Sequence, residues 1–438
     1  SEVRENQYHF RSSFILSALT NMSFILLLLY LTCTFIRPQD WVPALFGMRL
    51  INGLALATMF FIIVERAVGR KFNFVNVPQN KLMLGFIFAI VMSHVAHTYL
   101  GGLIASVSEF MVIFILYFLI LNGINTKLKF KFSIWFIVGL IFILVFQGIF
   151  QMENGYGWAG QGLTRAAAED FRINWIGIFS DPNDLALAFI IAIGILIAFL
   201  FGKTNYFIRL AIIPMIGYLF YGIYLTNSRG GFLALMATII FYFIKKTRKF
   251  TLGAIIGGSL AVLIFALGPS RLGLISTSEA SAQGRIQLWY EGILMIKSNP
   301  LFGVGHDRFM EDLPQTAHNS YILAAAELGL FGYFFWVALI YCSYKGLSII
   351  QDNDEELKQY ALGLQSGLIG FSAAAFFLSR TYVILPYLLF ALAGSLMHIA
   401  YARNTQLKFE FTKIDTKNVI KIALAILVFT YGTIKVGI

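Results

Sequence analysis

Stretches of about twenty apolar residues, separated by short polar breaks, recur from one end of the chain to the other. A helix of that length crosses roughly 30 Å of hydrocarbon with its backbone amides and carbonyls satisfied internally. The pattern predicts thirteen spans, near 13–36, 47–64, 82–99, 103–121, 132–150, 184–201, 207–226, 230–244, 250–268, 320–347, 360–378, 382–402 and 418–436. The ten-residue alternation of a membrane β-barrel is not seen. The expectation is an all-α polytopic membrane protein of 12–13 transmembrane helices, a single membrane domain over 1–438 with no internal repeat, low-complexity tract or soluble domain. The first polar dozen residues lead into a full-length span expected to act as its own insertion signal.

Two polar segments interrupt this rhythm, at 151–183 and 269–319. The first ends in Ser180-Asp181-Pro182-Asn183-Asp184, a helix-start signal in which proline sits where its missing donor costs nothing and the polar side chains cap free amides. Capping accounts for Asp184; Asp181 and Asn183 suit either a cap or a site. The second segment holds a short amphipathic helix at 285–297, expected at the membrane interface. It ends in Gln315-Thr316-Ala317-His318-Asn319-Ser320-Tyr321, where polar chain re-enters an apolar run, so the His318 imidazole is expected at a membrane surface beside water. Gly329 and Gly332, three apart on that helix, read as close-packing positions. Glu327, a carboxylate within the same span, needs a partner that the sequence does not name. The turn Thr226-Asn227-Ser228-Arg229-Gly230-Gly231 holds Arg229 at a membrane boundary, where a charge needs a partner, and this makes Arg229 a candidate site residue.

Composition and charge sharpen the picture. With 58% hydrophobic and 13% charged residues and a mean hydropathy of +0.76, the chain is too apolar for a soluble protein of this size. Cys33 and Cys342 both fall in apolar runs, so no disulfide is expected. A cytoplasmic N terminus puts 22 of the 33 basic residues on cytoplasmic segments, as the positive-inside rule asks. The net charge of +11 is then a basic fringe facing anionic lipid, and it implies no nucleic-acid partner. The acidic run Asp352–Glu356 reads as a solvated cytoplasmic turn.

Of the 11 outer basic residues, nine are arginine: Arg37, Arg49, Arg165, Arg172, Arg229, Arg271, Arg285, Arg308 and Arg380. Guanidinium groups grip phosphate oxygens in pairs, so an arginine-rich outer face suggests a diphosphate or an anionic headgroup there. Arg165, Arg172 and the pair Arg380 and Tyr382 are further candidates, the last two also readable as an interfacial anchor. His94, His97 and His398 read as interfacial, and His306, with Asp307 and Arg308, as a second polar contributor. The carboxylates Asp181, Asp184, Glu311 and Asp312 are too scattered for a metal set, and neither a metal nor a cofactor is expected.

One ordered set of motifs carries a resemblance. Asp181-Pro182-Asn183-Asp184-Leu185-Ala186, Ser228-Arg229-Gly230-Gly231, Gly284-Arg285 with Trp289, Gly303-Val304-Gly305, and His318-Asn319 followed after nine residues by Gly329-Leu330-Phe331-Gly332 resemble the O-antigen ligase and polymerase superfamily of bacterial membrane glycosyltransferases. The motifs cover about residues 150–335. The resemblance implies a fold related to the GT-C class and a periplasmic active site in the bacterial inner membrane. It further implies metal-independent transfer of a glycan from a polyprenyl (undecaprenyl) diphosphate carrier to a glycan, lipid or protein acceptor. His318 matches the base candidate, and Arg229 and Arg285 match diphosphate-binding candidates. The chemistry agrees with those assignments: imidazole titrates near neutral pH, and guanidinium groups can hold the departing diphosphate without a metal. Attack opposite the leaving group predicts inversion at the anomeric centre. A transporter or flippase for the same lipid-linked sugar is the alternative, although a duplicated half and ionisable groups near mid-membrane, which such a protein tends to have, are not clearly seen.

Overall fold

The computed structural model describes residues 2–69, 73–165, 171–266, 280–311 and 313–437, with side-chain surroundings omitted for 2–18, 280–282 and 437. Arg70, Lys71, Arg271 and Asp312 therefore lie outside the described residues, as do 166–170 and 267–279 of the two polar segments. The helices are α1 (Glu2–Phe35), α2 (Leu50–Val68), α3 (Pro78–Val95), α4 (Leu100–Gly123), α5 (Lys127–Asn154), α6 (Pro182–Leu200) and α7 (Tyr206–Thr226). They continue with α8 (Arg229–Thr247), α9 (Phe250–Ala266), α10 (Ala280–Ser298), α11 (Ser320–Asn353), α12 (Lys358–Ala374), α13 (Ile384–Arg403) and α14 (Lys413–Gly437). Each predicted span falls on one of these helices, and α10 is the predicted amphipathic element. Nine of the described helices are long and apolar enough to cross a membrane, and Leu19–Phe35 and Phe250–Ala266 are shorter apolar helices. The chain is thus an all-α polytopic membrane protein. Among the described residues the strands are confined to one hairpin, β1 (Thr164–Arg165) with β2 (Phe171–Arg172), inside the first polar segment.

α6 is apolar on every side and buried on nearly every residue, so it forms the centre of the bundle. It packs on α12 backbone to backbone: a Cβ at Gly194 would stand 3.1 Å from the Gly363 carbonyl oxygen, and one at Gly363 would stand 2.8 Å from Ile195 Cα. Leu252, Ile255 and Val262 on α9 and Leu56 and Phe60 on α2 point outward, as a hydrocarbon surround requires.

Contacts sort the helix ends into two groups. At one end the starts of α6, α8 and α11 meet the ends of α7 and α12, through Asn183 with Ser228 and Ser320 with Ala375. At the other, the acidic run Asp352–Glu356 ties helix ends together instead of standing free in solvent. Glu356 pairs with Lys127 of α5, with Lys131 at 3.2 Å and with Arg403 of α13 at 3.0 Å. Hydrogen bonds from Lys127 and Lys131 pull its carboxyl down to about 2.

α11 departs from expectation at one residue. Gly332 is close-packed, with the Ala89 Cβ 3.1 Å from where its own Cβ would be, but Gly329 has φ +65° and ψ −175°. These angles lie in a region open essentially to glycine alone, so α11 is two helices joined at a break. Such a break frees backbone groups in an apolar setting, and residues 300–305 take them up. Val304 N–H donates to the Ala326 carbonyl (2.9 Å) and Gly305 N–H to the Glu327 carbonyl (3.0 Å). In return, Leu330 N–H donates to Pro300 O (2.8 Å) and Phe331 N–H to Leu301 O (3.2 Å). The glycines at 303–305 and 329 therefore build a single joint, which fixes the second polar segment against the helix that follows His318.

Candidate functional site

The start of α11 sets the position of the histidine. Asn319 is fully buried and its Oδ1 accepts from the Tyr321 and Ile322 amides at 2.9 and 3.1 Å. Asn319, which stands beside His318 in the motif and is a further site candidate on that ground, is the cap of this helix. His318 precedes it at φ +49°, in the left-handed region, and is half-buried with Nε2 3.4 Å from Gln315 Oε1. Burial holds its pKa below the usual 6.5, the positive charges of Arg285 and Arg380 lower it further, and Asp181 opposes them. Elements far apart in sequence therefore act on one imidazole.

Arg380 is locked to the same helix start. Its amide donates to Ser320 Oγ (2.7 Å), and Ser320 Oγ donates to the Leu378 carbonyl (2.6 Å). Thr381 Oγ1 donates to the Ser320 carbonyl (2.9 Å), and Thr316 Oγ1 donates to Ser379 Oγ (2.9 Å). The guanidinium pairs with Asp181 and, at 2.5 Å, with Asp184. Of the two readings open for Arg380, a site candidate or an interfacial anchor, the ion pairs favour the first, and Asp184, read as a helix-start residue, is also one of its partners. Both carboxylates lie where Asp181-Pro182 begins α6, so one turn of sequence presents two charges to one guanidinium.

Asp181 also caps α6, accepting from the Asn183 amide at 2.8 Å. Asn183 Oδ1 in turn accepts from Ser228 Oγ (2.6 Å) and from Arg172 Nη2 (2.9 Å), while Arg172 Nε donates to the Thr226 carbonyl (2.8 Å). Ser228 caps α8 by accepting from the Gly231 amide at 3.0 Å, and half-buried Arg229 is the first residue of that helix. His318, Asp181, Asn183, Arg172, Arg229, Arg285 and Arg380 thus belong to one end of the bundle. Arg165 stands apart on the hairpin, exposed and stacked on Phe171 at 5.0 Å.

Tyr382 belongs to a second polar cluster rather than to the surroundings of His318. Its ring meets His306 edge to face at 4.2 Å, and its hydroxyl lies beside Glu327. His306 Nδ1 and His94 Nε2 share Ser106 Oγ at 3.0 and 2.8 Å, and His97 Nε2 meets the Gly303 carbonyl at 2.7 Å. His94 and His97 therefore clamp residues 303–306 and are not merely interfacial. Burial, aided by His94, pushes the His306 pKa down to about 4. Glu327 finds its partner here, accepting from the Phe309 amide at 3.2 Å. The advance signals for this cluster were that carboxylate in an apolar run, His306 as a second polar contributor and Tyr382 as a candidate. Ser93 and Ser106 gave none, because serine is common at helix ends and inside spans.

The Arg380–Asp184 pair is 14% and 10% exposed on its two side chains. Removing one partner of a buried pair leaves an uncompensated charge, so Arg380→Gln is expected to lower unfolding stability by about 3–5 kcal/mol. Thermal unfolding of purified protein reads this directly; a wild-type midpoint would remove the pair from the account.

Fold and site together define a polytopic helical membrane protein with arginines, carboxylates and one histidine gathered at a single end of its bundle. Residues 214–337 match the family model described as O-Antigen ligase, and this match supports the O-antigen ligase and polymerase family. The matched stretch contains Arg229, Arg285, His318 and the Gly329 joint, whereas Asp181, Asp184 and Arg380 lie outside it. The match supports an O-antigen ligase-like function, that of a membrane glycosyltransferase-like ligase or polymerase. No curated protein matches the chain significantly. Among the described residues no three His, Cys, Asp or Glu side chains converge as a metal set would.

Proposed function

We propose that the protein moves an oligosaccharide from a polyprenyl (undecaprenyl) diphosphate carrier to an acceptor hydroxyl, as an O-antigen ligase-like enzyme or a polysaccharide polymerase. The observation that carries this reading is a half-buried His318, under the fields of Arg285 and Arg380, within the stretch that matches the family. A neutral imidazole is the form that can take a proton, and all three influences that lower its pKa favour that form.

In the proposed step the acceptor oxygen attacks the anomeric carbon while its proton passes to the His318 imidazole. The bond from that carbon to the diphosphate oxygen breaks, and the diphosphate leaves with the electron pair. Arg229 and Arg285 hold the growing negative charge through paired hydrogen bonds, in a partly desolvated setting where such bonds are strong. Arg380, already engaged by two carboxylates, positions the His318 turn instead of gripping phosphate. Proton and charge are both accepted by side chains, so the step is written without a metal, and attack opposite the leaving group inverts the anomeric centre. The site is assigned to the periplasmic face of the bacterial inner membrane, with the N terminus cytoplasmic, because the lysine-rich ends then face the cytoplasm.

The test is transfer by purified protein in liposomes supplied with undecaprenyl-diphosphate-linked oligosaccharide, with and without candidate acceptors and chelator. Chelator-resistant transfer to an inverted product is expected, and a ladder of lengths identifies a polymerase whereas a single addition identifies a ligase. Movement of the lipid-linked glycan across the bilayer without transfer would replace this reading with transport.

A further inference from the structure

The helices that build the His318 end also build a cavity at their other ends. α6, α8 and α11 start at the site and finish at this cavity, and α12 runs the opposite way between the two. A helix of nineteen residues such as α6 or α8 separates them by roughly 28 Å, so this is not the place of the donor diphosphate.

The cavity holds about 600 Å³, within the range of sites for small ligands. Five cations line it: Lys203 after α6, Lys245, Lys246 and Arg248 at the end of α8, and Lys358 at the start of α12. Two carboxylates oppose them, Asp352 and Glu355. Glu355 is engaged by Lys203 at 3.2 Å and by Lys358 at 2.9 Å. Lys245 donates to Ser348 Oγ at 3.4 Å, and Lys246 donates to the Phe201 carbonyl at 2.8 Å. Neither bond neutralises charge, and among the described residues no ion pair engages Lys245, Lys246 or Arg248.

A fringe that only obeys the positive-inside rule stands in solvent. Lys203, Lys246 and Arg248 are exposed in that way and Lys245 and Lys358 are half-buried, but all five also surround a cavity whose wall includes Tyr242, a residue 1% exposed with a buried hydroxyl that meets no hydrogen-bond partner. A buried hydroxyl costs stability unless something accepts from it or donates to it. Ala198, Ile244, Phe250 and Leu362 give the wall an apolar part, beside Gln351 and Gln359.

We propose that this cavity binds a phosphate-bearing ligand, with Lys245, Lys246 and Arg248 on the phosphate oxygens and the Tyr242 hydroxyl donating a hydrogen bond. The chemistry fits an anionic lipid headgroup or a free phosphate compound, and the apolar wall favours the lipid, whose first acyl carbons it can cover.

The test is thermal unfolding of the purified full chain in detergent, titrated separately with phosphatidylglycerol, phosphatidylcholine and inorganic pyrophosphate. A ligand that binds only the native state raises the midpoint saturably. Phosphatidylglycerol is expected to do so and phosphatidylcholine is not. The K245Q/R248Q double variant is expected to need at least about tenfold more phosphatidylglycerol for half-saturation. K413Q/K417Q, which removes two cations outside the cavity, is expected to titrate like wild type. A saturable response to pyrophosphate, lost in K245Q/R248Q, supports the site and identifies a free phosphate compound as its ligand. Should the double variant not fold, Y242F serves instead, with a weakened response expected. Equal responses to the two lipids, or a cavity variant that titrates like wild type, would overturn the proposal.

Discussion

Replacing His318 with alanine is expected to slow glycan transfer by about a hundred- to ten-thousandfold, the usual worth of a positioned general base. The fold should survive, because the side chain is half-buried and its recorded hydrogen bond is a long one to Gln315. The backbone at this position is left-handed, which costs an ordinary side chain about 1–2 kcal/mol and asparagine less. His318→Asn therefore removes the imidazole while suiting the turn, and it should be as inactive as alanine but better folded. The pH profile gives an independent reading. His318 acts as a base when neutral, and its pKa lies below 6.5, so the rate should be level near neutrality and fall as the pH drops below 6.5. Arg285→Gln removes a positive charge that disfavours imidazolium and should move this acid limb upward, while Asp181→Asn should move it downward. Initial rates across pH for wild type, Arg285→Gln and Asp181→Asn check both signs, and a wild-type rate in His318→Asn would take the imidazole out of the chemistry.

Gly329→Ala is expected to cause a large structural loss through a single added methyl group. A non-glycine residue at φ +65° and ψ −175° costs about 1–3 kcal/mol before any contact is counted. The new Cβ would then stand 2.2 Å from the Leu301 carbonyl oxygen and 2.5 Å from the Phe302 amide nitrogen. Those are backbone atoms of the segment hydrogen-bonded across the break, so they cannot move aside without releasing the freed amides and carbonyls of α11. A lower unfolding midpoint and lost transfer are expected together, because the same joint anchors residues 300–309 and the helix that begins after His318. Gly258→Ala on α9, where nothing lies within 4 Å of the new methyl, is the control and should leave the midpoint unchanged or slightly raised. An unchanged midpoint in Gly329→Ala would mean that α11 is continuous.

These two residues also mark what sequence can and cannot reveal. The spans were legible because hydrocarbon imposes length and apolarity on every crossing, and the cap at Asp181 was legible because proline and aspartate act within one turn. The break at Gly329 was not: a glycine in an apolar run looks like a packing position, and only the hydrogen bonds from residues 300–305 turn it into a break. The pairing of Arg380 with Asp181 joins residues 199 apart, and His306 reaches Ser106 across 200. No local pattern encodes such contacts. Its place among the outer arginines made Arg380 a candidate but could not name its carboxylates. His306 was singled out, but the partners it meets were not, because Ser93, Ser106 and His94 each have an ordinary explanation when taken singly.

The central claim is that the donor diphosphate is held by arginine beside His318. Equilibrium binding of undecaprenyl diphosphate to wild type, Arg285→Gln and His318→Ala tests it most directly. Losing a charge-assisted contact to phosphate should weaken binding at least about tenfold in Arg285→Gln, while His318→Ala, which loses only the base, should stay near the wild-type affinity. Equal binding by all three proteins would contradict the account, since the diphosphate would then be held elsewhere.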